Sequence, residues 1–203
     1  AHMSEEGIEQ KYVKEAFDTN WVVPLGPNVN GFEKDLEFFV GENKRVVALS
    51  AGTAAVHLAL LACGVKPGDE VLVQSFTFCA SSHPITYLGA MPVFVDSEAD
   101  TWNMDPKALE KAFEIYPDVR VVVLAHLYGT PGKMDEIMEV IHKHNAILVE
   151  DAAESMGATY KGVETGTFGK YNTVSFNGNK IVTGSSGGCF LTNDLYAANK
   201  VRK

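Results

Sequence analysis

Cysteine is scarce, with three in 203 residues, at positions 63, 79 and 189. They are odd in number, widely spaced and set among apolar or small neighbours, so they read as reduced packing residues of a cytoplasmic protein rather than a disulfide framework. No pair of Cys or His has the short spacing of a zinc site, and no metal is expected. His142 and His144 stand two apart on an expected helix, point away from each other, and read as solvated. Basic residues are the minority, 17 against 26 acidic, for a net charge of -9. That balance excludes nucleic acid as the main partner, since phosphate binding needs a basic face. No run approaches the about 18 apolar residues of a membrane-spanning helix, and the start lacks the charged-then-apolar order of a secretion signal. A Gly-x-Gly-x-x-Gly after the first strand is also missing, which argues against a dinucleotide-binding oxidoreductase.

What is present is apolar content of 46%, enough to bury a full core as one large or two small domains. Ala1-His2-Met3 reads as an expression-vector remnant, leaving residues 4–203 for the fold. The spacing predicts a first helix over residues 4–20, with Ile8, Tyr12, Val13 and Phe17 near one face. The Trp21–Pro27 stretch, with two prolines and a glycine, stops it. This apolar loop is expected over a pocket or subunit contact, or packed on the core. A second helix, Gly31 to Val40, takes Asn30 as its cap.

From there strand and helix alternate. Strands are expected at Arg45–Leu49, Glu70–Gln74, Pro92–Asp96, Arg120–Leu127 and Ala146–Val149. Helices follow Ser50, run from Cys79 to Leu88 with a break near Pro84, open at Asp105-Pro106, and span Met134–His144. Such alternation predicts an α/β fold with a mostly parallel central sheet covered by helices on both faces. After Asp151, glycines 157, 162, 166 and 169 break the chain into short loops. The last residues, 195–203, read as a helix that has only begun, so the sequence is expected to be the front part of a longer protein.

Four positions carry candidate chemistry. Gly52-Thr53 sits between a strand and a strongly helical segment, so free N–H groups and the positive end of a helix dipole face the turn; the site suits a phosphate, or Thr53 is an ordinary cap. Phe78 follows a strand end, where it stacks on a flat ligand or joins the core. Asp151 is delivered at another strand end. Lys180 lies in the stretch Thr173-Val-Ser-Phe-Asn-Gly-Asn-Lys180, where an apolar run meets an Asn/Gly bend. It is either an amine held for a Schiff base or a surface hairpin lysine. Together these are what pyridoxal phosphate requires: donors for its phosphate, a ring partner, an anion for its ring nitrogen and a lysine for its aldehyde.

At this point the chain resembles the DegT/DnrJ/EryC1/StrS sugar aminotransferases, whose large domain has the fold-type I architecture of pyridoxal phosphate enzymes. The resemblance rests on Ser50-Ala-Gly-Thr-Ala-Ala-Val-His-Leu-Ala-Leu60, Ser75-Phe-Thr-Phe78, Pro92-Val-Phe-Val-Asp96, Glu150-Asp-Ala-Ala-Glu-Ser155 and Ser175-Phe-Asn-Gly-Asn-Lys180. The Asn-Gly-Asn-Lys form, Asp-Ala-Ala-Glu-Ser and the loop at 20–26 are most similar to the branch that aminates C4 of UDP-4-keto-6-deoxy-N-acetylglucosamine. The resemblance implies that Lys180 bonds the coenzyme's aldehyde and moves the proton, Asp151 pairs with the ring nitrogen, and Gly52, Thr53 and Ser175 hold the phosphate. Phe78 would stack on the ring. Glu154 stands where the family usually has Gln beside the coenzyme's phenolic oxygen, and a carboxylate there repels a phenolate unless protonated or bridged. It further implies a ping-pong transamination from an amino-acid donor, glutamate, to a 4-keto nucleotide sugar, a homodimer whose sites borrow partner residues, and a small C-terminal domain beyond residue 203. This sequence alone is then expected to be poorly active. Two rivals within the fold are a sugar dehydratase, which places His at the lysine position, and a non-catalytic regulator or scaffold.

Overall fold

The computed structural model describes residues 2–21, 23–41 and 43–203. Ala1, in the stretch expected to be a vector remnant, and Val22 of the apolar loop lie outside the described residues. Seven strands form one sheet: β1 (Arg45–Leu49), β2 (Glu70–Gln74), β3 (Met91–Val95), β4 (Val121–Ala125), β5 (Ile147–Asp151), β8 (Tyr171–Ser175) and β9 (Gly188–Thr192). A separate hairpin joins β6 (Thr159–Tyr160) to β7 (Val163–Glu164). The sheet order is β1-β9-β8-β5-β4-β2-β3. Neighbours from β8 to β3 are parallel, while β9 runs antiparallel to both β1 and β8.

Seven α-helices accompany it among the described residues: α1 (Ile8–Asp18), α2 (Pro27–Val40), α3 (Gly52–Ala62), α4 (His83–Tyr87), α5 (Pro106–Ile115), α6 (Met134–Lys143) and α7 (Leu195–Val201). Strand β4 explains the layering. Its Val121-Val-Val-Leu-Ala125 run is buried throughout, and the two-residue period sends alternate side chains to opposite faces. Val121 and Val123 pack with Val56 and Leu60 of α3 and Ala197 of α7. Val122 and Leu124 pack with Leu109 and Phe113 of α5 and Met134 and Ile137 of α6. Near β1, Leu36 of α2 joins Val46, Val174, Cys189 and Leu191. Helices therefore cover both faces of a mostly parallel sheet, as the alternation predicts.

Several boundaries differ from the sequence expectation. Helix α2 begins at Pro27 rather than Gly31, with Gly26 as its cap at φ 128°. Proline fits this first position because the N–H it lacks has no partner inside a helix. The expected helix at 79–88 is a 3-10 turn, Cys79–Ser81, followed by α4. Strand β9 is not expected from the sequence, where the glycines before it read as a bend. The apolar residues of α1 do fall on one face, yet none is buried; Phe17 is 75% exposed. Trp21, Val23 and Leu25 are exposed too, so these three residues of the loop do not pack on the core. His144 is not simply solvated: it stacks on Phe113 at 4.4 Å between ring centroids and lies 3.0 Å from a Glu110 carboxylate oxygen. Cys79 is exposed, unlike a packing cysteine. Helix α7 is capped by Asp194, and Arg202 beyond it donates to Glu33 at 2.6 Å and to the Val46 carbonyl at 3.2 Å. No described helix is long and apolar enough to cross a membrane.

Candidate active site

Parallel strands end together, and the loops beyond those ends converge. The turn after β1 gives Gly52 and Thr53, and the loop after β2 gives Phe78. Asp151 closes β5, Ser175 closes β8, and Lys180 lies just beyond. All of these and Glu154 line one cavity of about 250 Å³. The structure brings together every residue the sequence singled out.

The anion end is built by close backbone approach. Helix α3 starts at Gly52 after Ala51, and no side chain caps it. Thr53 is therefore not its cap, and the first-turn N–H groups stay available for an acceptor. A Cβ on Gly52 would stand 2.7 Å from the Ser175 Cβ, so only glycine lets the two strand ends meet here. From the far side Gly187 donates its N–H to the Ser50 carbonyl at 3.0 Å.

Opposite lies Asp151, 6% exposed. Its Oδ2 accepts from the Ser81 hydroxyl at 2.7 Å and its Oδ1 from the Ala153 N–H at 3.1 Å. Burial raises this carboxyl above its ordinary value; the Ser81 and Ala153 bonds and the charge of Lys180 pull it back, while Glu154 pushes it up. Behind β5, the neighbouring Glu150 points the other way. It accepts from Gly166 at 2.5 Å, Phe168 at 2.8 Å and Gly169 at 3.0 Å, and lies 2.8 Å from His126 Nε2. Because His126 Nδ1 accepts from the Gly132 N–H at 3.1 Å, Nε2 carries the proton and donates. Burial opposes the Glu150 charge, but the His126 and amide donors outweigh it and hold the carboxyl below its ordinary value.

Lys180 is held, not solvated: its side chain is 9% exposed and its Nζ lies 3.1 Å from Glu154 Oε1. The same ammonium sits 5.8 Å from the centre of the Phe78 ring. The second oxygen of Glu154 accepts from the Tyr128 N–H at 3.0 Å, a residue at φ 50°. Glu154 therefore has two donors of its own. Phe78 is 65% exposed, so it is a wall of the cavity and not a core aromatic.

Sequence reasoning missed Thr77, Ser81, Asn177, Asn179 and Ser186, all of which line the cavity. Small polar residues leave no periodic signal. Only the three-residue step from Phe78 to Ser81, one 3-10 turn, hints that the two share a side.

A phosphate-sized helix start, a buried carboxylate, an aromatic wall and a poised lysine at the carboxyl ends of a mostly parallel sheet are the equipment of a pyridoxal phosphate enzyme. Residues 3–203 match the DegT/DnrJ/EryC1/StrS aminotransferase family, and the chain belongs to it; pyridoxal phosphate is the coenzyme of that family. Among curated proteins it is 51% identical to a putative pyridoxal phosphate-dependent aminotransferase, EpsN, of Bacillus subtilis (strain 168), covering 99% of this chain and 52% of that protein. It is 45% identical to GDP-perosamine synthase of Caulobacter vibrioides, covering 97% and 52%. The solved aminotransferase of Psychrobacter cryohalolentis superposes with a TM-score of 0.88 at 34% identity, over 98% of this chain and 50% of that one. The chain thus spans about half the length of the relatives it matches.

Proposed function

We propose that this chain is the coenzyme-binding part of a sugar aminotransferase. It moves an amino group from an amino acid, L-glutamate, to C4 of a nucleotide-linked 4-keto-6-deoxy sugar, UDP-4-keto-6-deoxy-N-acetylglucosamine, for surface polysaccharide. The observation that carries the reading is that the Lys180 amine, the Asp151 carboxylate and the uncapped start of α3 open into one cavity. When bound there, pyridoxal phosphate supplies a protonated ring that accepts the electron pair released at the amino-bearing carbon.

The chain's own residues do the rest. Gly52, Thr53 and Ser175 bind the phosphate through N–H and hydroxyl groups at the helix start. Phe78, in the cavity wall, would cover the ring and exclude water. Asp151 holds a proton on the ring nitrogen, its carboxylate kept in place by Ser81 and Ala153. Lys180 would hold the coenzyme through its amine and move a proton at its Nζ to and from the sugar carbon. Glu154, anchored by the Tyr128 amide, steadies the lysine as its counter-charge.

The nucleotide sugar and donor are the partners. A small C-terminal domain and a second copy of the chain complete the site, which leaves this half poorly active alone. Borohydride reduction after incubation with pyridoxal phosphate should add the coenzyme's mass to the peptide bearing Lys180, and K180A should take up none; an unmodified Lys180 peptide sinks the reading. Amino transfer by the longer protein, compared between UDP-linked and GDP-linked 4-keto-6-deoxy sugars, decides the carrier.

A further inference from the structure

We propose that Ser81 is a positioning residue of this site: its hydroxyl, lodged behind Asp151, keeps that carboxylate ionised and aimed at the cavity, ready for a protonated ring nitrogen. The inference rests on the coenzyme reading above and adds to it a residue that the sequence did not single out.

Ser81 is 1% exposed at the end of the 3-10 turn that follows Phe78. Its Oγ lies 2.7 Å from Asp151 Oδ2 and 3.0 Å from Thr77 Oγ1. A serine has one hydroxyl proton, and a carboxylate only accepts, so that proton belongs to Asp151. The Thr77 hydroxyl must then donate to Ser81. The result is a two-step chain of donors, Thr77 to Ser81 to Asp151, in which each bond polarises the next.

Such a chain is needed because the other influences on Asp151 are not constant. Lys180 and Glu154 both face it with opposite charge, and His126 lines the same cavity, its ring committed to Glu150 and Gly132. From β8, the Thr173 hydroxyl stands 3.5 Å from Oδ1. The charge of Lys180 changes with whatever its amine is bonded to. Ser81 and the Ala153 N–H are fixed dipoles that remain whatever the lysine is doing. Without them, burial favours the neutral acid, and a neutral Asp151 cannot hold a proton on a ring nitrogen.

The experiment reads Asp151 directly, in the coenzyme-free chain, by carboxyl carbon NMR with aspartate labelled and the signal assigned through D151N. Replacing Ser81 by Ala should raise the midpoint of Asp151 by about 1 pH unit, a tenfold change in proton affinity equal to about 1.4 kcal/mol. S81T, which keeps the hydroxyl, should restore it. S81C, of similar volume but with a weaker donor, should shift it in the same direction as S81A and serves if S81A does not fold. The acid limb of pyridoxal phosphate binding should move up in pH together with the Asp151 midpoint. An Asp151 midpoint unchanged in both S81A and S81C overturns the proposal. A shifted midpoint in a chain that takes up no pyridoxal phosphate sinks the coenzyme reading instead and leaves the Ser81–Asp151 coupling standing.

Discussion

At the scale of one residue, Asp151 shows what the site costs the fold. It is a carboxylate in the interior, and burial raises its pKa. A folded state that binds the proton more tightly than the unfolded chain loses stability as pH rises from the ordinary carboxylate range through the raised value. At neutral pH Asp151 is therefore a destabilising group. D151N removes the buried charge and keeps one acceptor, for Ser81, while giving up the bond from Ala153; with the first effect the larger, it should stabilise the coenzyme-free chain by about 1 kcal/mol, read as a higher urea midpoint at neutral pH. A midpoint below that of the unmodified chain would show that Asp151 is held for structure.

At the scale of the element, close contact between the start of α3 and the start of β9 shapes the anion end of the cavity. A Cβ on Gly188 would come within 2.4 Å of the Ala51 carbonyl carbon and the Gly52 nitrogen. Backbone cannot move aside as a flexible side chain can. G188A should cost about 1–3 kcal/mol by overpacking and weaken phosphate binding at the same time, measurable as a lower denaturation midpoint and weaker retention of inorganic phosphate. Equal phosphate affinity in G188A and the unmodified chain would separate the contact from the site. The same strand marks the limit of what is legible in the sequence. The valine-rich run of β4, the placement of Asp151 at a strand end and the helical Ala/Leu segment after Gly52 are all readable, because burial on two faces and helix periodicity write themselves into residue type. Strand β9 is not, since its order comes from pairing with Arg45–Leu49, far back in the chain, as well as with Tyr171–Ser175 across the loop that carries Lys180. Ser81 escapes for the same reason: its acceptor stands 70 residues away.

At the scale of the whole molecule, Glu150 is a knot between regions far apart in sequence. It joins His126 after β4 to the amides of Gly166, Phe168 and Gly169 before β8. Its carboxyl is held below the ordinary value, so its contribution is complete above the unfolded carboxylate range and is lost as pH falls through the lowered folded value. Urea midpoints should thus decline on acidification below about pH 4.5, the upper end of the unfolded carboxylate range. E150A, which leaves three amides and an imidazole without their acceptor, should cost about 1–3 kcal/mol for each buried donor that finds no new partner and show a shallower acid decline. An acid decline as steep in E150A as in the unmodified chain would assign it to other carboxylates.

Among the described residues, strand β1 touches the sheet only through β9, and this has a consequence for how the protein comes into being on the ribosome. The turn near residue 52 is made early, and α2 can already cover one edge of β1, with Glu37 and Glu33 accepting from the Val46 and Ala48 N–H groups, but the strand finds no partner strand until residues 188–192 have emerged and folded back between β1 and β8. Until then a nascent chain carries β1 with the edge that faces β9 unpaired, a state open to aggregation and to chaperone capture. Vitamin B6 coenzyme can stabilise the product of synthesis, but it cannot template the steps that lead there.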